Sequence, residues 1–98
     1  MATRTFKSVN LVPKWYMGES LYEVSGVSMK HLNLLQAPDA QSAFQMLEVE
    51  SRSLPDMGEA KARNGKWYYA DLGLEVTPLN VKEVTDEMAN ELRLKSIL

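Results

Sequence analysis

Few residues in this chain have side chains that could carry out catalysis. His31 is the only histidine, and there is no cysteine. A catalytic histidine needs a nucleophile or a carboxylate held close in space, and no recognised motif around His31 supplies one. We therefore interpret His31 as an exposed histidine on a helix. A deep pocket that joins it to a carboxylate would instead favour a small enzyme.

The carboxylates and glycines do not form a known ligand-binding motif. The sequence contains neither an Asp-x-Asp calcium loop nor an HExxH zinc motif. Glu48 and Glu50 are two positions apart, so they would point in different directions on a helix. The five glycines are isolated and build no phosphate-binding loop. The sequence predicts no catalytic residue, no metal site and no cofactor, and so a protein that is not an enzyme.

Two segments place a lysine next to aromatic rings, Lys14-Trp15-Tyr16 and Lys66-Trp67-Tyr68-Tyr69. Neighbouring residues of a strand point to opposite faces, so at least one ring of each segment can be exposed. Exposed rings beside lysines could stack on unpaired bases, or they could anchor a protein interface.

The other interpretation of these rings is structural. Tryptophan and tyrosine bury large areas, so Trp15, Trp67 and Tyr69 could fill the core while Tyr16 and Tyr68 cover the outer face of a sheet. The apolar C-terminus either docks on the body of the domain or is available to a partner. The candidate interface residues are Trp15, Tyr16, Tyr68, Leu94, Ile97 and Leu98.

The same two segments begin an internal similarity. Lys14–Lys30 aligns without a gap with Lys66–Lys82, and both tryptophans of the chain are among the identical positions. This pattern predicts two copies of one unit, residues 5–36 and 59–96, joined by a helix over residues 38–53. Coincidence between two amphipathic strand segments is the alternative.

The first half of the chain is predicted to hold three strands and a helix. Alternating apolar residues predict a strand over Thr5–Val12, which is our candidate for an exposed sheet edge. Lys14–Met17 and Leu21–Ser25 are predicted as strands around a turn at Gly18-Glu19-Ser20. Ser28 is predicted to cap a short helix over Met29–Gln36.

The middle of the chain carries the clearest local signals. Pro38 fits the first position of a helix that runs to about Ser53. Asn64-Gly65 predicts a two-residue hairpin between Glu59–Arg63 and Lys66–Ala70, because both turn residues tolerate positive φ. That loop length places Ala62 opposite Trp67 and Ala60 opposite Tyr69.

The last elements are a strand and a helix. Leu74–Thr77 is predicted as a strand that Pro78 stops, because proline cannot donate to the ladder. Asn80 followed by Glu83 resembles a capping box and predicts a helix over Val81–Ser96.

Composition and element order indicate one α+β domain over residues 1–98. The predicted architecture is an antiparallel meander followed by a helix in each of two pseudo-symmetric β-β-β-α halves. The net charge of −2 argues against nucleic acid as a partner. Neither a membrane-spanning run nor a signal peptide is recognisable, so we expect a protein that no signal peptide directs to secretion, without a membrane partner.

One segment supports a resemblance. Tyr22–Leu32 resembles the strand-Gly-helix entry of phage tail-assembly chaperones, and the short cysteine-free chain resembles small accessory or virion proteins of bacteriophages. The resemblance implies a binding or assembly protein that acts through a protein partner or self-association, in the cytoplasm of the host cell or in the virion. The alternative is a single-stranded nucleic-acid binder that uses the two Lys-Trp-Tyr segments, which a basic stripe on the surface would favour.

Overall fold

The computed structural model describes residues 13–94 and shows the predicted α+β class, a five-stranded antiparallel sheet with two helices. The strands are β1 (Lys14–Val24), β2 (Val27–Ala37), β3 (Ala60–Arg63), β4 (Lys66–Tyr69) and β5 (Leu74–Val84), and the helices are α1 (Ala40–Ser51) and α2 (Asp86–Leu94). Their order in the sheet is β2-β1-β5-β4-β3. The predicted strand Thr5–Val12 lies outside the described residues.

The predicted turn at Gly18-Glu19-Ser20 is wrong, because β1 is a single strand of 11 residues. Its pairing with β2 runs without interruption from Lys14 to Val24. Gly18 serves a different purpose there. A Cβ at this position would lie 3.0 Å from Cδ1 of Leu47 on α1, so glycine allows the helix to approach the sheet closely.

The predicted helix over Met29–Gln36 is also wrong, because these residues belong to β2. Ser25 and Gly26 have φ values of 50° and 80° and form a two-residue turn that pairs β1 with β2. Ser28, the expected helix cap, instead donates its hydroxyl to the Glu23 carboxylate. The segment that resembled a strand-Gly-helix entry is therefore a strand, a turn and a second strand.

The helix predicted over residues 38–53 is confirmed as α1. Asp39, rather than Pro38, occupies its start and accepts a hydrogen bond from the Ser42 backbone N–H at 2.7 Å. That hydrogen bond lowers the pKa of the Asp39 carboxyl, because it favours the charged form. The apolar stripe of α1 buries Ala43 and Leu47 against the sheet.

The predicted hairpin at Asn64-Gly65 is confirmed. The two residues have φ values of 52° and 79°, and they join β3 to β4. Ala62 pairs with Trp67 and Ala60 with Tyr69, as the loop length required.

Pro78 does not stop β5, which continues to Val84. Strand β4 pairs with β5 only as far as Val76, so Pro78 lies beyond the end of β4 and its missing N–H breaks no bond there. On the other side, the pairing of β5 with β1 skips Leu79 and forms a β-bulge.

The capping box predicted at Asn80 is wrong as well. Asn80 lies in β5 and donates its side-chain amide to the Glu19 carboxylate across the sheet at 3.0 Å. Thr85 caps α2 instead, accepting from the Met88 N–H at 3.1 Å. The final helix therefore begins at Asp86, later in the chain than the predicted start at Val81.

The sheet has two faces, which we name by what covers them. On the helix face, α1 covers Tyr16 and Leu35, and a second buried cluster contains Tyr69, Leu74 and Val76. The second face carries the alternate residues, including Trp15. The guanidinium group of Arg93 on α2 lies over the Trp15 ring, so α2 contacts the sheet on this second face.

The strand order does not reproduce two β-β-β-α halves. Residues that align in the two proposed copies also differ in structure. Residues 18–21 continue β1, whereas residues 70–73 form the turn between β4 and β5. The duplication therefore stays a prediction.

Candidate functional site

Strand β2 forms one outer edge of the sheet. It is 11 residues long, and in residues 13–94 it pairs with β1 alone. The opposite edge strand, β3, has only 4 residues. Long unpaired edges offer backbone hydrogen bonds to another strand, whereas short ones do so poorly.

The hairpin turn decides which backbone groups of β2 face outward. Val24 and Val27 flank a two-residue turn, so they form a hydrogen-bonded pair, and such pairs alternate along an antiparallel ladder. Every second residue of β2 therefore directs its N–H and C=O away from β1. These residues are Ser28, Lys30, Leu32, Leu34 and Gln36.

The side chains along this edge do little to prevent pairing. Val27 is 70% exposed and Met29 is 66% exposed, next to the hairpin turn. The strand contains no proline, no glycine and no acidic residue. Lys30 is its only lysine, and edge strands that resist pairing usually carry several such features.

A cleft of about 190 Å³ lies on the helix face, between the β1–β2 hairpin and the end of α1. It includes both His31 and Glu50, but no hydrogen bond or ion pair joins these two side chains within residues 13–94. The lining residues are Ser20, Tyr22, His31, Asn33, Glu50, Ser51, Ser53, Leu54 and Pro55.

The rim of the cleft joins β2 to α1. The rings of Tyr22 and His31 are tilted against each other, with centroids 5.0 Å apart. The Asn33 side-chain amide donates a hydrogen bond to Oε1 of Glu50. Burial raises the pKa of Tyr22, and the nearby Tyr69 and Glu50 raise it further.

Hydrogen bonds hold the opposite wall in place. The Tyr69 hydroxyl donates to the Ser51 carbonyl and accepts from the Leu54 N–H at 3.1 Å. The Ser51 and Ser53 hydroxyls donate to backbone carbonyls one turn earlier in α1. Their oxygens keep lone pairs that can still accept hydrogen bonds.

One residue of the cleft is polar, buried and unpartnered. Ser20 is 3% exposed and its hydroxyl has no hydrogen bond within residues 13–94, where Thr77 Oγ1 is the only side-chain oxygen that is both fully buried and unpartnered. It belongs to the cleft lining, so the cleft is where a partner for this hydroxyl can approach.

The structure places the predicted interface residues in different environments. Trp15 and Tyr68 are half-buried, and each ring lies under an arginine, Arg93 at 5.1 Å and Arg63 at 4.3 Å. Tyr16 is 3% exposed and belongs to the core, not to an outer face.

The C-terminal candidates are only partly described. Leu94 is 83% exposed at the end of α2. Ile97 and Leu98 lie outside the described residues.

The sequence interpretation missed most of the cleft. It placed His31 on a helix, so Tyr22 and His31 were never expected on neighbouring strands. The signal that could have found them is Ser25-Gly26, a two-residue turn that brings Ser20 opposite His31 and Tyr22 diagonal to it.

No protein family, no curated protein and no solved structure matches the chain. Neither α1 nor α2 is long and apolar enough to cross a membrane, and residues 13–94 contain no other helix. The same stretch holds no group of three side chains that could ligate a metal ion.

Proposed function

We propose that this chain is a non-enzymatic assembly protein whose β2 edge pairs with the same strand of a second copy. The observation that carries the proposal is the 11-residue outer strand, with unpaired backbone groups in the described structure and exposed apolar side chains beside its turn. Adding a strand to such an edge supplies main-chain hydrogen bonds to the groups that point away from β1.

The sequence of β2 suits antiparallel pairing with itself. With Leu32 on the two-fold axis, Leu32 faces Leu32, Lys30 faces Leu34, and Ser28 faces Gln36. All of these residues direct backbone groups outward, so every pair forms hydrogen bonds. Because no two lysines face each other, the pairing avoids like-charge repulsion.

The surface cations support protein rather than nucleic acid as the partner. Lys66 lies 3.3 Å from the Glu23 carboxylate and 3.8 Å from that of Glu75. Arg63 and Arg93 cover aromatic rings that base stacking would need. A place in a bacteriophage particle or its assembly stays a prediction that rests only on the short, cysteine-free character of the chain, because the segment that resembled tail-assembly chaperones forms a strand instead of a helix.

The substitution Lys30→Pro tests the proposal. It removes one outward N–H that a second copy would use, and it leaves the β1–β2 hydrogen bonds in place. We expect a dimer of the natural chain by sedimentation velocity, and at least a roughly tenfold higher dissociation constant for the variant. Lys30→Ala is the matched control, because it removes the charge and keeps the N–H.

A pair of charge variants tests the register and does not depend on proline being tolerated. Leu32→Lys and Leu32→Glu should each be monomeric, because like charges would face each other on the axis, and an equimolar mixture should restore the dimer. A monomeric natural chain, or a dimer that both Lys30→Pro and Leu32→Lys leave intact, would overturn self-pairing. Binding of a different protein strand to β2 by a monomeric chain would likewise replace the second copy as the occupant.

A further inference from the structure

The cleft beside β2 is rich in hydrogen-bond acceptors and poor in cations. Glu50 is its only acidic residue, and no lysine or arginine is part of its lining. The cleft lies at the C-terminal end of α1, where the helix dipole is negative, and the last turn of α1 contains no basic residue. Arg52, which follows the helix, lies over the Trp67 ring instead.

We propose that this cleft is a binding site for an organic cation, either an alkylammonium or a guanidinium group. Oε1 of Glu50 accepts from Asn33, which leaves Oε2 to accept from the ligand. The unpartnered hydroxyl of Ser20 supplies a further oxygen from the interior of the cleft. The Tyr22 ring also belongs to the lining, and the face of an aromatic ring attracts a positive charge.

The remaining lining fits the carbon chain of such a ligand. Leu54 and Pro55 are the apolar residues of the cleft, and they follow the end of α1. The volume, about 190 Å³, is below the range of roughly 300–1,000 Å³ that is usual for drug-sized ligands. The cleft therefore suits a small amine or the end of a single lysine or arginine side chain.

This site is independent of pairing through β2. The cleft is formed by one copy of the chain and lies on the helix face, whereas the pairing groups are the backbone atoms along the strand edge. Lys30→Pro should therefore change the association of copies and leave cation binding intact, whereas a substitution of Glu50 should do the reverse.

Nuclear magnetic resonance can test the site with a matched pair of probes. Butylammonium chloride is titrated into the ¹⁵N-labelled chain, with sodium butyrate as a probe of similar shape and opposite charge. We expect saturable shifts of the Ser20, Tyr22, His31 and Ser51 amides with the cation only. Glu50→Gln keeps an oxygen for Asn33 and should weaken binding about threefold to tenfold, because it removes the charge.

Glu48→Gln is the control, since it removes the same charge from the same helix but outside the cleft lining. Butylammonium and a short lysine-containing peptide distinguish the two sources of the cation. Saturation by the free amine supports a small-molecule ligand, and saturation by the peptide alone supports a side chain of a protein. If neither saturates, or if Glu50→Gln and Glu48→Gln bind equally well, the proposal is overturned.

Discussion

The two Lys-Trp-Tyr segments have similar sequences, but their corresponding aromatic side chains lie on opposite faces of the sheet. In β1, Tyr16 points into the core on the helix face, and Trp15 lies on the second face under Arg93. In β4, Trp67 and Tyr69 both pack on the helix face, and Tyr68 lies on the second face under Arg63. The tryptophans of the two segments are therefore on opposite sides of the sheet.

The difference shows that strand pairing, and not residue type, decides which ring is buried. Side chains alternate along a strand, so a shift of one residue exchanges the two faces. In β1 the buried set continues from Tyr16 through Gly18 to Ser20, directly under α1. In β4 the buried set is fixed by Val76 and Leu74, which pair with Trp67 and Tyr69.

Truncating the buried tyrosines should have the largest effect. Tyr69 and Tyr16 are both almost fully buried, so replacing either with alanine should cost about 3–5 kcal/mol of unfolding free energy. Tyr69→Ala should lie at the upper end, because it also leaves the Leu54 N–H without a partner. Urea denaturation measures both values, and a small loss for Tyr16→Ala would show that β1 is not packed as described.

Removing only the hydroxyl group should destabilise the protein at Tyr69 but much less at Tyr16. Tyr69→Phe leaves the Ser51 carbonyl and the Leu54 N–H unpaired and should cost about 1–3 kcal/mol. The Tyr16 hydroxyl has no hydrogen bond among the described residues, so Tyr16→Phe should change stability much less. Equal losses in the same denaturation series would contradict this distinction.

Gly18 and Ala70 occupy equivalent positions in the aligned segments and should respond differently to added volume. Gly18→Ala places a Cβ 3.0 Å from Leu47 and 3.1 Å from Leu35, so we expect a loss of about 1–3 kcal/mol. Ala70→Ser changes an exposed turn residue and should stay within about 0.5 kcal/mol. Thermal unfolding followed by circular dichroism compares the two, and a neutral Gly18→Ala would mean that α1 can move away from the sheet.

The two hairpin turns should behave alike. Gly26 and Gly65 have φ values of 80° and 79°, and a Cβ at either position would meet no atom within 4 Å. Valine at each position should therefore cost about 1–2 kcal/mol through backbone strain alone. The corresponding alanine variants should lose less unfolding free energy, since alanine has no β-branch. A Gly65→Val variant as stable as the natural chain would contradict the positive φ of Gly65.

The sequence correctly predicted a secondary-structure element where a local pattern is typical of only one structure. Asn64-Gly65 predicted its hairpin and the facing pairs, and Pro38 predicted the helix that the structure shows as α1. The sequence prediction failed for β2, because the helix expected after a Ser28 cap was overridden by the pairing of these residues with β1. Gly18 was misinterpreted because the sequence does not distinguish a glycine in a turn from a glycine that lets a neighbouring helix pack closely on a strand.

The candidate sites could not be found from sequence for a related reason. The cleft exists because the β1–β2 turn brings Ser20 opposite His31 and because α1 packs with Glu50 beside Asn33. The first contact follows from the Ser25-Gly26 turn, whereas the packing of α1 beside β2 is a tertiary contact that leaves no sequence motif. The edge position of β2 within residues 13–94 depends on the strand order, which no local pattern of residues specifies.

Substituting the arginines that lie over the two tryptophans should have the smallest effect on the unfolding free energy. These substitutions also test most directly whether Trp15 and Trp67 lie on opposite faces of the sheet. Arg93 lies 5.1 Å from the Trp15 ring centroid and Arg52 lies 5.8 Å from that of Trp67. A cation–π contact at such sites contributes about 0.5–1 kcal/mol, and attraction falls with distance, so Arg93→Gln should cost more than Arg52→Gln. A double-mutant cycle with Trp15→Leu isolates the first contact, and Trp67→Leu isolates the second. Coupling of Arg93 with Trp67 instead of Trp15 would mean that α2 lies on the helix face, and the contrast between the two segments would then be wrong.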